Sequence, residues 1–503
     1  MREQHDPPRR EDKRRREEHD SYRRDSQAKG NQPAGVAQTV VCGTSRTFGP
    51  VLGKMAPMGM AKEMMIEQDE QGWDYSDKFV CPACVRDEHL ADAVAAEAAD
   101  SEHCDFCGAK PAAAMDVLLA AFMVGVRRDY NDADGEGIYW EGREGGYQAS
   151  TLDSWDLVDH YGDAFEPRVA EEVRASLHEQ TWVERNYAWR RRDDVLRDAW
   201  DAFSDAVKYE TRYVIWIVES EDAQLEARHA GEVPVGEILH EIGQFLQILG
   251  VVRELPAGAT LWRAQTHSTR TLQPAPSAGR LGTAPREYAK QPNRMSPAGI
   301  PMFYGAMEAR TALEEVRRHN DGGDRYVTLG EFTLSESIRV VDFTRLPEIP
   351  SVFHPQLGEY HREIAFLHEF VGALSRPVKP GDEAIDYVPT QVVTEFFLRI
   401  LAPAGGSAIK GLVYASAVHD GGKSNVLDIP HDHCVAVGEP RPASGACLVL
   451  TPSTVQRHRL ATVRRGMRNP AVAKALRWTA STVASIGVLA LIARIARAGS
   501  ARQ

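Results

Sequence analysis

Several absences narrow what this chain can be. Its first residues, MREQHDPPRREDKRRREEHD, carry charge where a secretory leader needs an apolar segment. Cysteine is scarce, with 7 in 503 residues. An odd count without a leader argues against a disulfide framework and for a reducing compartment. No internal repeat recurs at solenoid-like periods. No charge-free stretch reaches the roughly 20 apolar residues that a spanning helix needs. After Glu439 there is no acidic residue at all, although arginine is frequent. These absences set aside disulfide-rich secreted proteins, polytopic membrane proteins and repeat arrays. A cytoplasmic protein is the expectation.

What is present is ordinary globular composition, 43% hydrophobic and 26% charged, on a chain long enough for two or three domains. The net charge of −13 does not advertise nucleic-acid binding by the molecule as a whole, and no specific nucleic-acid partner is expected. The charge is uneven, with arginine-rich termini around an acidic middle.

Composition divides the chain into four parts. Residues 1–64 carry charge runs without apolar periodicity and read as a disordered arm. Residues 65–250 hold a cysteine module followed by helices. AMDVLLAAFMVGVRRDY, VAEEVRASLHEQ, DDVLRDAWDAFSDAVKY and VGEILHEIGQFLQILG each space apolar residues by three and four. ELPAGAT interrupts that pattern. Residues 258–450 have mixed α/β texture: strands in LWRAQT, PMFYGA, YVTLGEFTL, IRVVDF and IKGLVYASAV, helices in MEARTALEEVRRH and YVPTQVVTEFFLRIL. Residues 451–503 form a basic tail. In it, WTASTVASIGVLALIA (478–493) is uncharged and flanked by Arg477 and Arg494. Weak membrane contact through this helix, and with it membrane association of a cytoplasmic protein, stands against docking on protein.

Two C-x-x-C pairs, Cys81/Cys84 and Cys104/Cys107, are separated by nineteen residues. Each pair lets two thiolates reach one ion from a tight turn, and four complete the tetrahedron that suits Zn²⁺. With no acid or open position suggested, the zinc reads as structural. The alternative is a set of buried or redox-active thiols.

In the α/β part four polar residues stand where a core would not want them. These are Arg294 in a Ser/Pro/Gly-rich turn, Tyr304 at a strand end, Glu315 on the next helix, and Ser416 closing the strand GLVYAS. A guanidinium fork suits a diphosphate, and an aromatic face suits a base or nicotinamide. A carboxylate can hold ribose hydroxyls and stabilise an oxocarbenium-like centre, and a hydroxyl can orient a nucleotide group. Each also has an ordinary reading, as surface arginine, half-buried tyrosine, solvated helix carboxylate beside Glu314, or turn serine. Taken alone, spacing reaches only a nucleotide-binding α/β domain.

The pattern R-x-S-P-x-G-x-P-x-x-Y, then A-L-x-E-V, then G-L-x-Y-x-S resembles the RES domain, whose letters fall on Arg294, Glu315 and Ser416 with Tyr304 as the accompanying aromatic. LWRA resembles the family's opening strand and adds Arg263. DYVPTQVVTEF resembles its helix motif through Tyr387, Thr390 and Gln391. Met295 follows Arg294 where the family often has an aromatic. VCPAC and CDFCG with the following helices are similar to a HEPN/RES N-terminal domain. No convincing R-x₄₋₆-H ribonuclease motif lies in those helices; Arg362 and His368 have that spacing inside the RES region.

The resemblance implies an α+β chain. A zinc module and helical domain would precede a mixed α/β, ADP-ribosyltransferase-like RES domain that acts as a toxin on NAD⁺, cleaving its nicotinamide–ribose bond with water or phosphate as acceptor. It implies a helix-turn-helix antitoxin as partner. Arg263 and Arg294 would hold the diphosphate, Tyr304 would pack at the nicotinamide, Glu315 would bind ribose or activate the attacking group, and Ser416 would complete the nucleotide contacts. Two other readings stand beside it: ADP-ribosyl transfer to a macromolecule, and a zinc- or partner-binding module with a degenerate RES domain. Leu313, where protein-modifying relatives often carry a second glutamate, favours small-molecule cleavage over transfer.

Overall fold

The computed structural model describes residues 71–461, apart from 144, 186, 219–224, 226, 229–230, 272–274, 319, 321–322, 377, 380 and 402–406. The expected arm 1–64 and the apolar helix 478–493 lie outside the described residues. Among those described, no helix is long and apolar enough to cross a membrane.

The cysteine module is closed by a two-residue ladder, Phe79–Val80 against Ala113–Ala114. Between its cysteine pairs runs helix α1 (Glu88–Glu97). Asp87 caps it, its carboxylate accepting the N–H groups of His89 and Leu90, both at 3.0 Å. Helix α2 (Met115–Asp129) buries Leu118, Leu119, Phe122, Met123 and Val126, the stripe that three- and four-residue spacing predicts. Helices α3 (Ser154–His160) and α4 (Pro167–Ser176) pack with it. A three-stranded sheet has Thr181–Glu184 between Tyr130–Asp132 and Thr151–Asp153.

Helices α5 (Arg192–Asp205) and α6 (Ile238–Ile248) belong to a second core. There Trp200, Phe203, Ile242 and Leu246 meet Phe366, Phe370, Phe396 and Phe397 from two helices of the α/β part, α8 (His361–Ser375) and α9 (Val388–Arg399). A ten-stranded mixed sheet organises that part. Its strands are β1 (Val252–Leu255), β2 (Thr260–His267), β3 (Phe303–Ala306), β4 (Tyr326–Leu334), β5 (Ile338–Asp342), β6 (Ile409–Ala415), β7 (Lys423–Leu427), β8 (Cys434–Ala436), β9 (Leu448–Leu450) and β10 (Gln456–Arg459). Spatial order is β8-β9-β4-β2-β3-β7-β6-β5-β1, with β10 also on β4. Only β5–β6 and β8–β9 are parallel among these neighbours; the β5–β6 crossover carries α8 and α9, as parallel pairing requires. Helix α7 (Ala309–Arg318) follows β3 and lays Ala312 and Leu313 on Ala264, Ala306, Val327 and Leu329.

Strands β2 and β4 pair over eight residues and β3 and β7 over four, but β2 and β3 meet through one pair, Ala306 opposite Trp262. The sheet therefore splits into two halves between β2 and β3.

The segment after β5 ties the two parts together. Phe353 inserts beneath α2, its ring 5.5 Å from Phe122 and 5.3 Å from Tyr161. Burying a side chain of this size is worth roughly 1.5–3 kcal/mol. Arg128 holds the same loop, donating to the carbonyls of Val352, His354 and Pro355. One turn further on, at the start of α8, Arg362 pairs with Asp129 (3.1 Å) and Glu184 (2.8 Å), while His361 Nε2 lies 3.4 Å from Asp129. Burial pushes the His361 imidazolium down, but the Asp129 carboxylate outweighs it and the group sits above its ordinary value. Asp129 sits correspondingly below its own: burial raises it, and His361 and Arg362 outweigh that.

Two outcomes follow. A Cβ at Gly125 would fall 2.2 Å from the Phe353 ring, so Gly125→Ala is expected to lose about 1–3 kcal/mol in urea unfolding. The raised His361 contributes its full stabilisation below the unfolded value near about pH 6.5 and loses it as pH rises through the folded one. Wild-type stability should therefore fall from neutral into alkaline pH, and His361→Gln should flatten that slope.

Candidate active site and zinc centre

The four cysteine sulfurs converge, all within 4.8 Å of one another, with Cys81 and Cys107 at 3.5 Å and Cys84 and Cys104 at 3.8 Å. A tetrahedral ion bound at about 2.3 Å puts its sulfurs about 3.8 Å apart, so the set fits Zn²⁺. Gly108, at φ +77°, lets the second knuckle turn back, with its N–H on the Cys104 carbonyl at 2.8 Å. Burial pushes the Cys81 and Cys84 thiols up. At Cys104 burial acts the same way, but backbone hydrogen bonds outweigh it and bring the thiol to about 7. Held as thiolates, four sulfurs this close would need a cation between them.

The second group forms where the sheet splits. Glu315 stands on α7, which the β3–α7 turn places over β3 and β7. Its Oε1 accepts from Ser416 Oγ at 2.6 Å and from Ser424 Oγ at 3.0 Å. Ser416 follows the last residue of β6, and Ser424 is opposite both Tyr414 and Ala306 in the ladder. The hairpin between them is braced by Ser416 N–H on Gly422 O (2.8 Å) and by His419, whose ring nitrogen meets Thr311 Oγ1 of α7 at 2.7 Å.

Arg294 sits in a turn closed by Asn293 and Ser296, each N–H on the other's carbonyl at 2.8 and 3.2 Å. Helix α9 grips that turn. Thr390 donates to Arg294 O, Gln391 Nε2 to Asn293 O at 2.8 Å, and Tyr387 offers its ring 5.5 Å from the Arg294 guanidinium. The guanidinium donates through Nη1 to the carbonyls of Leu374 and Arg376 at 3.0 and 2.7 Å, the C-terminus of α8. Ser296 Oγ meets Tyr304 Oη at 2.9 Å, and burial pushes the Tyr304 phenol up to about 12. Burial also raises Tyr414; Glu315 raises it further and Arg294 lowers it, so both charges are felt at this one phenol.

Arg294, Tyr304, Glu315 and Ser416 are thus brought to one region of one sheet face. Arg263 stands across the split. Its neighbours Trp262 and Ala264 pack with α7, while its own guanidinium lies over the Phe303 ring at 5.1 Å and donates to Tyr304 O at 2.9 Å. Burial lowers its pKa, so the cation is held in poorly solvated surroundings. Sequence reasoning missed Ser424, Tyr414 and His419. Ser424 is the second residue of a strand, KSNVL, whose opening residues are poor strand formers. Asn425 beside it is fully buried, with neither amide atom hydrogen-bonded, directly opposite Gly305 where the sheet divides.

The zinc reading is open to test. The purified chain is expected to carry one zinc per molecule by atomic absorption. Cys107 is exposed, so Cys107→Ser disturbs little packing, yet it should release the metal and lower the melting temperature by roughly 5–10 °C. A metal-free wild-type chain with the same melting temperature would rule the site out.

Residues 97–221 match the family description HEPN/RES N-terminal domain 1, and residues 260–461 match RES domain. No curated protein and no solved structure gives a significant match. The RES match runs from the start of β2 through the end of β10 and contains Arg263, Arg294, Tyr304, Glu315 and Ser416; the other match contains Cys104, Cys107 and helices α2 to α5. Together they cover most of the described chain, which is a RES-domain protein with a HEPN/RES N-terminal domain.

Proposed function

We propose that the chain degrades NAD⁺ by cleaving its nicotinamide–ribose bond. The observation that carries this reading is the Glu315 carboxylate, held by the hydroxyls of Ser416 and Ser424 at the split in the sheet, with Tyr304, Tyr414 and Arg294 on the same face. On this reading the divided sheet is an ADP-ribosyltransferase-like cleft in which Arg294 holds the diphosphate; Arg263, expected to share that role, is turned to the other sheet face against Phe303 and braces the Tyr304 carbonyl instead. Tyr304 presents its ring to the nicotinamide.

The ribose C1′–nitrogen bond breaks with its electron pair going to nicotinamide, which leaves neutral. The oxocarbenium-like centre left behind is stabilised by the Glu315 carboxylate, which two hydroxyl donors keep fixed in orientation. Water or phosphate then attacks C1′, and with water one proton is released as ADP-ribose forms. Leu313, two residues before Glu315, is on the buried face of α7, so the position that would hold a second glutamate is core. That supports a small acceptor over a protein side chain. The zinc centre takes no part in these steps; Cys81, Cys84, Cys104 and Cys107 would hold the ion and give the small module a core. The toxin role, with a helix-turn-helix antitoxin as partner, belongs to the same proposal.

The test is nicotinamide release from NAD⁺ by the purified chain, with growth and cellular NAD⁺ followed under tight induction. Glu315→Gln is expected to lower kcat on the order of 10²–10³-fold, and Arg294→Ala to act mainly on KM. Ser424→Ala should cost less, because Ser416 still holds the carboxylate. Unchanged turnover in Glu315→Gln would remove the proposal.

A further inference from the structure

Two concavities lie away from the site above. Both are at the junction of the N-terminal helices with α8, about 570 and 600 Å³, and they share Asp129, Glu184, Arg191, His361 and Arg362. The first is lined by seven arginines and four carboxylates in a chain of net charge −13. Most of the cations come from one run, RNYAWRRR, which supplies Arg185, Arg190, Arg191 and Arg192 around Trp189. A positive concavity on an acidic protein focuses potential on anions.

Several of these arginines are held loosely. Arg190 pairs with Asp198 with both side chains more than half exposed, and Arg191 reaches Glu184 and Asp193 only at 3.9 and 3.4 Å. Pairs of this kind contribute little and can exchange for a stronger partner. Arg362 is fixed as the floor by Asp129 and Glu184. Trp189 supplies the other element. The Gly231 backbone lies against its indole, so close that a Cβ there would sit 2.7 Å from Cε3. Even so, the ring remains 48% exposed while lining the cavity. A tryptophan backed by the main chain and open to a cavity rich in guanidinium groups is a stacking platform beside a phosphate cradle.

We propose that this interdomain cleft binds a nucleoside polyphosphate, its base on Trp189 and its phosphates on Arg185, Arg190 and Arg191. The volume, about 570 Å³, is within the range of small-ligand pockets and fits a free nucleotide. This site is separate from the NAD⁺ reading and stands without it. It does touch the same machinery, since Arg362 and His361 open α8 and the last carbonyls of α8 hold Arg294.

Calorimetric titration of the full chain with ATP, inorganic tripolyphosphate and a ten-nucleotide single-stranded RNA tests it. ATP should bind about tenfold more tightly than tripolyphosphate, the difference a stacked base supplies. Trp189→Ala should erase that difference and leave tripolyphosphate binding intact. Arg185→Ala with Arg190→Ala should weaken both several-fold, with circular dichroism unchanged. Arg294→Ala should leave all of it unchanged, which separates this cleft from the RES site. Absence of ATP binding overturns the proposal, as does ATP binding insensitive to these cleft variants or lost in Arg294→Ala. RNA binding tighter than ATP would also overturn it, in favour of a strand-binding surface.

Discussion

The placement of one helix governs most of this structure. Helix α8 is the crossover between the parallel strands β5 and β6, and it is held at both ends by groups from elsewhere in the chain. At its start Asp129 receives Arg362 and His361. A carboxylate there also meets the positive end of the helix dipole. At its finish two carbonyls with no partner inside the helix receive the Arg294 guanidinium. The middle is packed by Phe366 and Phe370 against α5. Removing one member of a partly buried pair such as Asp129–Arg362 leaves a charge without its counter-ion, at a cost of about 3–5 kcal/mol. The helix therefore has little freedom to shift without disturbing the domain contact, the aromatic core or Arg294.

This explains why the N-terminal helices and the RES part are built as one body in the described chain. Phe353 and Val352, which belong to the RES match, complete the core around α2, and Trp200 and Phe203 of the N-terminal match complete the core around α9. Each part lends apolar side chains to the other. The cysteine module then matters beyond its own size, because Cys81, Cys84 and Cys104 share with α1 and α2 the core into which Phe353 inserts.

Much of this was legible in the sequence, for a local reason. The stripes of α2, α5, α6 and α9 and the runs of β2, β4 and β6 advertise burial within a few residues, so period alone places them. The cysteine pairs advertise a common ion in the same way. Arg294, Tyr304, Glu315 and Ser416 were legible only as a family pattern, since nothing local says that residues 101 positions apart share a hydrogen bond, as Glu315 and Ser416 do. What escaped is non-local or disguised. Arg362 shows in the sequence only as half of an arginine–histidine spacing, whereas its partner Asp129 lies 233 residues away and His368 turns to Pro347 O instead. Ser424 hides in a strand with little strand propensity.

The way the two charged groups of the candidate site are held bears on what they can do. Arg294 is positioned by main-chain carbonyls, and Glu315 by the hydroxyls of two serines. Neutral dipoles fix orientation without cancelling charge. A carboxylate clamped on Arg294 would fix it as firmly, but would have to be displaced before a diphosphate could bind. The chain does use such direct clamps at the domain contact, where Arg362 meets Asp129 and Glu184 and the requirement is to hold two parts together. Charge meets charge where two parts must be held together, and Arg294 is set against neutral carbonyls where the proposed diphosphate is to be met.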